Sequence, residues 1–149
     1  MAHYLTETTK INIAATTTAG AAGTSDITSS AVNMAGFDGC LFLVPIGAVV
    51  SGAVTSIKIQ QSSDDAATDD YSDVEGTAVT ITDTDDDKLK YIDVFRPGKR
   101  YLKLIVDRGT QNATVGGVIA IQYNSRSRPV TQGTNVAGEQ WSTPAEGTA

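Results

Sequence analysis

An all-β antiparallel sandwich or barrel of about eight strands is the fold this 149-residue sequence predicts. Three observations lead there. Short apolar or alternating runs recur along the chain with turn residues between them, the spacing of an all-β domain. The acids divide as 13 Asp against 4 Glu, and Asp favours turns where Glu favours helices. No stretch carries a convincing helical period, and no segment repeats another.

Taken in order, residues 1–9 form a short polar arm. Lys10–Ala15 alternates, with Ile11 and Ile13 on one face, and reads as the first strand. Residues 16–23 are a Thr/Ala/Gly-rich loop. Residues 25–32 are a weak strand carrying Ile27 and Val32, and residues 36–39 are a turn. Residues 40–50 are the most apolar stretch, which predicts a strand buried on both faces. Pro45 within it marks a bulge or an edge position. Residues 51–52 turn the chain into Val54–Ser62, which alternates cleanly: Ile57 and Ile59 point in, Lys58 and Gln60 out. An acidic loop around Tyr71 fills residues 63–73. Residues 77–82 are a short strand with Val79 and Ile81 on one face, and residues 83–87 are a second acidic turn.

Residues 89–107 read as two strands joined at Arg96-Pro97-Gly98-Lys99. Proline presets φ at the second turn position and glycine accepts positive φ at the third, as a type II turn requires. With a two-residue loop, Phe95 faces Arg100 and Tyr91 faces Leu104. Leu89, Tyr91 and Phe95 then share a core face with Leu102, Leu104 and Val106. Type II twist suits a hairpin less well than the primed types, so a longer loop is the alternative. After a turn at 107–112, residues 114–123 form the last strand, with Ile119, Ile121 and Tyr123 on one face and Gly116-Gly117 as a bulge or a close backbone approach. The expected core is Leu41, Leu43, Ile57, Ile59, Leu102, Leu104, Val106, Ile119 and Ile121. The sandwich thus spans 10–124. Residues 125–149 lose all periodicity and form an extended tail, too poor in apolar residues to pack alone.

Hydrophobic residues at 40% against 19% charged predict a globular domain with a real core. The net charge of −6 argues against general nucleic-acid binding. Its distribution is uneven. Residues 1–87 hold 13 acids and 2 bases, net −11; residues 88–149 hold 4 acids and 9 bases, net +5. That is either loop composition or a two-poled surface that meets copies of itself or an oppositely charged partner. Cys40 is the only cysteine, so no internal disulfide forms and a buried thiol is expected. The first ten residues lack a signal-peptide shape, and no apolar run approaches the roughly 20 residues of a membrane span. The expectation is a soluble protein made in the cytoplasm.

Catalysis needs a positioned acid, base or nucleophile. The single histidine, His3, lies in the polar arm, and G-x-S-x-G, phosphate-loop and zinc spacings are absent. The chain is therefore expected to be no enzyme and to need no cofactor and no small-molecule substrate. Two acidic groups, Asp64, Asp65, Asp69, Asp70 and Asp73, and Asp83, Asp85 and Asp87, offer oxygens for Ca²⁺. An EF-hand loop from Asp83 would need glycine sixth and an acid twelfth, where the chain has Lys88 and Val94. Turn formation is the simpler reading, with the acidic loops free of metal. Basic residues gather at Arg96, Lys99 and Arg100 and again at Arg126 and Arg128. No aromatic ladder accompanies them as single-stranded nucleic acid would require. They predict either a solvated turn or a contact with an acidic protein surface. Trp141, alone in the tail, predicts an apolar anchor that fills a pocket on a neighbouring subunit or folds back onto its own sandwich.

Ala35-Gly36-Phe37-Asp38-Gly39 before an apolar strand, Ile57-Lys58-Ile59-Gln60-Gln61-Ser62, Arg96-Pro97 with Lys99-Arg100-Tyr101, and the ending Ser142-Thr143-Pro144-Ala145-Glu146-Gly147-Thr148-Ala149 together resemble a family of small head structural proteins of tailed bacteriophages. Capsid decoration (cement) proteins are among them. The resemblance covers roughly residues 30–149 and carries no catalytic residue. It implies a jelly-roll-like β-sandwich, a homotrimer, and binding to the major capsid protein on the outside of an icosahedral shell in the virion. The alternatives are a head-fibre, tail or head–tail joining component, or a carbohydrate- or receptor-binding module that uses the Asp loops with Ca²⁺.

Overall fold

A computed structural model describes residues 4–142 and 145–147; His3, Thr143, Pro144, Thr148 and Ala149 lie outside the described residues. The strands are β1 (Lys10–Ala15), β2 (Ile27–Thr28), β3 (Val32–Asn33), β4 (Gly39–Val49), β5 (Val54–Ser62), β6 (Ser72–Asp73), β7 (Val79–Ile81), β8 (Leu89–Phe95), β9 (Tyr101–Gly109), β10 (Ala113–Val115) and β11 (Val118–Tyr123). A single 3₁₀ turn at Leu5–Glu7 precedes them. They lie along eight paths. β2 and β3 both flank β9, β6 and β7 both flank β5, and β10 and β11 both flank β4.

Numbered in chain order, path one pairs with eight, two with seven, three with six and four with five, all antiparallel. Path eight also pairs with three, and seven with four. This is the jelly-roll order: a chain doubled on itself at the acidic loop 63–71, with the doubled ribbon rolled into two facing sheets. The first sheet runs β1–β11–β4–β8, with β10 also on β4, and the second runs β2/β3–β9–β5–β6/β7.

The topology corrects the reading of residues 89–107. β8 and β9 belong to different sheets, so they are not a hairpin. Phe95 pairs with Gly39 and Tyr91 with Leu43, rather than with Arg100 and Leu104. A Pro-Gly pair stops one strand and starts another whether the chain returns beside itself or crosses to the facing layer. Gly98 does not take positive φ; Arg96 does, at 50°, and turns the chain out of the first sheet.

The facing of the first sheet is also the reverse of the expectation. Leu41, Leu43, Ile119 and Ile121 lie half-buried on its outer face. Cys40, Phe42, Val44, Val118 and Ala120 are fully enclosed. Leu89, Tyr91 and Phe95, expected in the core, are 55%, 63% and 56% exposed, while Ile92 points inward. These strands are apolar on both faces, so a period of two admits two facings. Small Cys40 and Ala120 beside large Phe42 fill the gap between sheets at close packing. In the second sheet the alternation is unambiguous, and Ile57, Ile59, Leu102, Leu104 and Val106 are fully buried as expected.

Pro45 sits in an inner strand without breaking it. Odd residues of β4 bond toward the β10/β11 path, where the Gly116 N–H donates to the Pro45 carbonyl at 2.7 Å. The missing Pro45 N–H therefore falls opposite the break between β10 and β11, where no ladder bond is lost. Gly117 opens that break at φ 94°, and a side chain there would strike the Ala15 carbonyl.

Two further devices tie the ends down. Arg108, buried, donates from Nε to the Ser25 carbonyl at 2.6 Å and from Nη1 to those of Ala21 and Ala113 at 2.7 and 2.9 Å. It pins the loop before β2 to the sandwich. The tail lies along the N-terminal arm: Ser125 and Val130 N–H groups donate to the Thr8 and Glu7 carbonyls. Gln132 accepts from Ile11 N–H at 2.9 Å and donates to the Thr6 and Thr9 carbonyls at 3.0 and 2.7 Å.

Candidate interaction site: a basic cleft at one end of the sandwich

Three connections meet at one end of the jelly roll. The β3–β4 loop turns at Gly36 (φ 87°), the β8–β9 crossing leaves its sheet at Arg96, and the tail departs after Asn124 (φ 53°). Backbone bonds lock them together. Arg96 N–H donates to the Asp38 carbonyl at 2.7 Å, Met34 N–H to Arg100 at 2.8 Å, and Arg126 N–H to Gly36 at 2.9 Å. Between them opens a cleft of about 490 Å³, with Arg96, Lys99, Arg100 and Arg126 on its walls and Phe37 and Pro97 among its apolar residues. The fold thus brings together four of the basic residues singled out from sequence, drawn from two segments some 30 positions apart.

Their partners differ. Lys99 is committed to Asp69, with Nζ at 2.9 and 2.8 Å from the two carboxylate oxygens. That contact, helped by the Ser63 backbone and hydroxyl, lowers the Asp69 pKa to about 2. Arg126 reaches Asp38 at 3.1 Å. Arg100 donates from Nε to the Asn33 side chain at 2.9 Å and lies by the Tyr101 ring. Arg96 stacks its guanidinium 5.1 Å from the Phe95 ring centre. Among the described residues neither Arg96 nor Arg100 has a carboxylate partner within ion-pair distance, so the cleft presents two open guanidiniums. Arg96 does so from the left-handed backbone region, which costs a non-glycine residue roughly 1–2 kcal/mol and gathers at functional surfaces.

Arg128 is exposed and does not line the cleft. Trp141 is 68% exposed and does not line the cleft. Asn33 and Asp38, which orient Arg100 and Arg126, were not singled out from sequence. Asp38 stands in a turn motif where any short polar residue fits, and nothing local marks it as a partner of a residue 88 positions away.

The acidic loops are knitted internally. Asp64 accepts the N–H groups of Ala67, Thr68 and Asp69 and the Thr68 hydroxyl, which lowers its pKa. Asp65 accepts the Tyr71 hydroxyl at 2.6 Å. Asp85 accepts the Thr82 N–H and the ammonium groups of Lys90 and Lys88, and is held well below the carboxylate range by them. Among the described residues no three His, Cys, Asp or Glu side chains converge as a metal site would require.

No protein-family model matches the chain, and no curated protein and no solved structure is detectably similar to it.

Proposed function

We propose that this chain is a structural virion protein that binds the outside of an icosahedral tailed-phage capsid and stabilises it by bridging coat subunits. The observation that carries the reading is Trp141. A large apolar side chain stands 68% exposed on a tail whose earlier residues are pinned by Gln132. An indole offered to solvent on a tethered arm is suited to fill a pocket on a partner. The resemblance over residues 30–149 names the partner class as a major capsid protein. The jelly roll supports it by analogy, since viral coat domains share that order of strands.

The mechanism is binding alone. Each copy buries modest area, and repetition over a shell multiplies the effect. The chain is made in the host bacterial cytoplasm and works in the virion, without nucleic acid, membrane, substrate or cofactor. Copies meet one another there, and the resemblance implies three per assembly. A head-fibre, tail or head–tail joining role is the second reading of the same resemblance. A lectin role shares the fold class, but the oxygens of Asp64, Asp69 and Asp85 that it would draw on are engaged by turn backbone and lysines.

Electron microscopy of the intact particle tests the proposal. Many copies in icosahedral register on the outer surface are expected. A few copies at one vertex support the joining role, and absence from the particle overturns both. Loss of residues 125–149 is expected to leave the sandwich's far-UV circular dichroism in place and to abolish binding to particles. Full occupancy by the truncated chain would remove the tail as anchor.

A further inference from the structure

β8 is an open edge. The bonded residues of the β4–β8 ladder are the even ones of β8, fixed at its two ends by Arg96 N–H to the Asp38 carbonyl and Ile46 N–H to the Lys88 carbonyl. Antiparallel alternation then turns the N–H and C=O groups of Leu89, Tyr91, Asp93 and Phe95 away from the sheet. Among the described strands β8 pairs with β4 alone. Natural edges are guarded by proline, a bulge or charged side chains. β8 contains no proline, its seven residues keep an unshifted register with β4, and its two charges are engaged within the chain, Lys90 by Asp85 and Asp93 by the Tyr123 hydroxyl.

The same odd residues point their side chains outward. Leu89, Tyr91 and Phe95 are each more than half exposed and together present on the order of 400 Å² of mostly apolar surface. Leu41, Leu43, Ile119 and Ile121 continue that surface across the sheet.

Charge at the two ends of β8 selects what pairs with it. Asp83 and Asp87 stand before the strand, Arg96 and Arg100 after it. Among the described residues none of the four forms an ion pair. A second β8 laid antiparallel brings the acidic end of each copy to the basic end of the other, twice over. Laid parallel, it sets like against like. The favoured arrangement is self-complementary about a two-fold axis.

We propose that two copies of this chain pair antiparallel through β8. Their first sheets join into one, with Leu89, Tyr91 and Phe95 of both copies side by side and the open arginines of each cleft facing the 83–87 turn of the other. The pairing concerns the isolated chain and does not rest on the virion reading; it joins two copies where the resemblance implies three, and the measured mass decides between them.

Sedimentation velocity and amide hydrogen exchange on the full chain test it. At tens of micromolar the expected mass is twice the 15.5 kDa of one chain. The Leu89, Tyr91, Asp93 and Phe95 amides should exchange slowly, and should speed up on dilution. Arg96→Glu with Arg100→Glu, and separately Asp83→Lys with Asp87→Lys, should each sediment as single chains. An equimolar mixture of the two variants should return to the doubled mass, which also shows that both are folded. The proposal is overturned by a wild-type mass of one chain or three, or by pairing that survives either reversal. A mixture that stays single, or a doubled species whose β8 amides exchange freely, overturns it equally.

Discussion

Cys40 shows how far burial alone sets chemistry in this protein. Its thiol is fully enclosed between the sheets, and burial, with Asp93 nearby, pushes its pKa up to about 12. The thiolate is the nucleophile, so the native protein should not react with iodoacetamide at pH 8, and should react once denatured. Its neighbours test the facing of the strand. Phe42→Ala should cost about 3–5 kcal/mol in urea unfolding, because the enclosed ring leaves a cavity. Leu43→Ala, on the outer face, should cost well under half as much. Equal costs would mean that the outer face is as well packed as the inner. Arg108 is the other decisive residue. Replacing it with alanine strips a charged donor from three carbonyls, those of Ser25 and Ala21 in half-buried contacts and that of Ala113 in a buried one. A hydrogen bond to a charged donor contributes about 1.5–3 kcal/mol, and water can replace the donor at Ser25 and Ala21, so a loss of about 2–3 kcal/mol is expected. Nothing in the sequence around Arg108 distinguishes it from the solvated bases, since its acceptors are main-chain atoms of distant loops.

At the scale of elements, strand positions were legible in both sheets, and facing only in the second. Val54–Ser62 alternates apolar and polar residues, and its predicted bounds and facing agree with the structure. The first-sheet strands are apolar on both faces, so the pattern that identifies them as strands is silent about which side is the core. The 89–107 segment misled for a related reason. Turn residues specify where the chain bends and not whether the next strand lies beside or across. The acidic loop expected over 63–73 was legible except that Ser72–Asp73 pair as β6, and its dependence on Lys99 from the far side of the fold was not. That dependence has a pH signature. The Asp69 pKa falls from its ordinary 3.8 to about 2 on folding. The contribution is therefore complete above pH 4 and is lost as pH falls toward 2. Asp69→Asn should lower the thermal midpoint at pH 6 and match the wild type at pH 2. Because both partners are about one third exposed, the difference should shrink in high salt.

For the whole molecule, doubling the chain explains the uneven charge. A jelly roll lays the second half of the sequence antiparallel on the first, so the base-rich half meets the acid-rich half within one chain. Lys99 reaches Asp69, Lys103 approaches Asp65 and Arg126 reaches Asp38 across the doubled chain, while Lys88 and Lys90 reach Asp85 across a local turn. Much of the apparent polarity is thus spent internally, which a count along the sequence cannot register. The open charges left on either side of β8 are part of the remainder. The clasp of the tail on the arm belongs to this scale as well. Gln132→Ala removes three hydrogen bonds that join residues more than 120 positions apart. It should raise the exchange rate of the Ile11 amide by at least tenfold while leaving the Leu104 amide unchanged.

That both ends of the chain leave from the same end of one strand pair has a mechanical consequence. Lys10 opposes Gln122 at the start of β1 and the end of β11. A pull on the two termini therefore loads the ladder one bond at a time, peeling it from the end instead of shearing all its bonds together. The clasp at Gln132 would yield first, then β1. A load spread across the sheet faces would meet the ladders in parallel. A molecule built this way is weak as a tether and strong as a plate, and any tension it bears is best taken through its flanks.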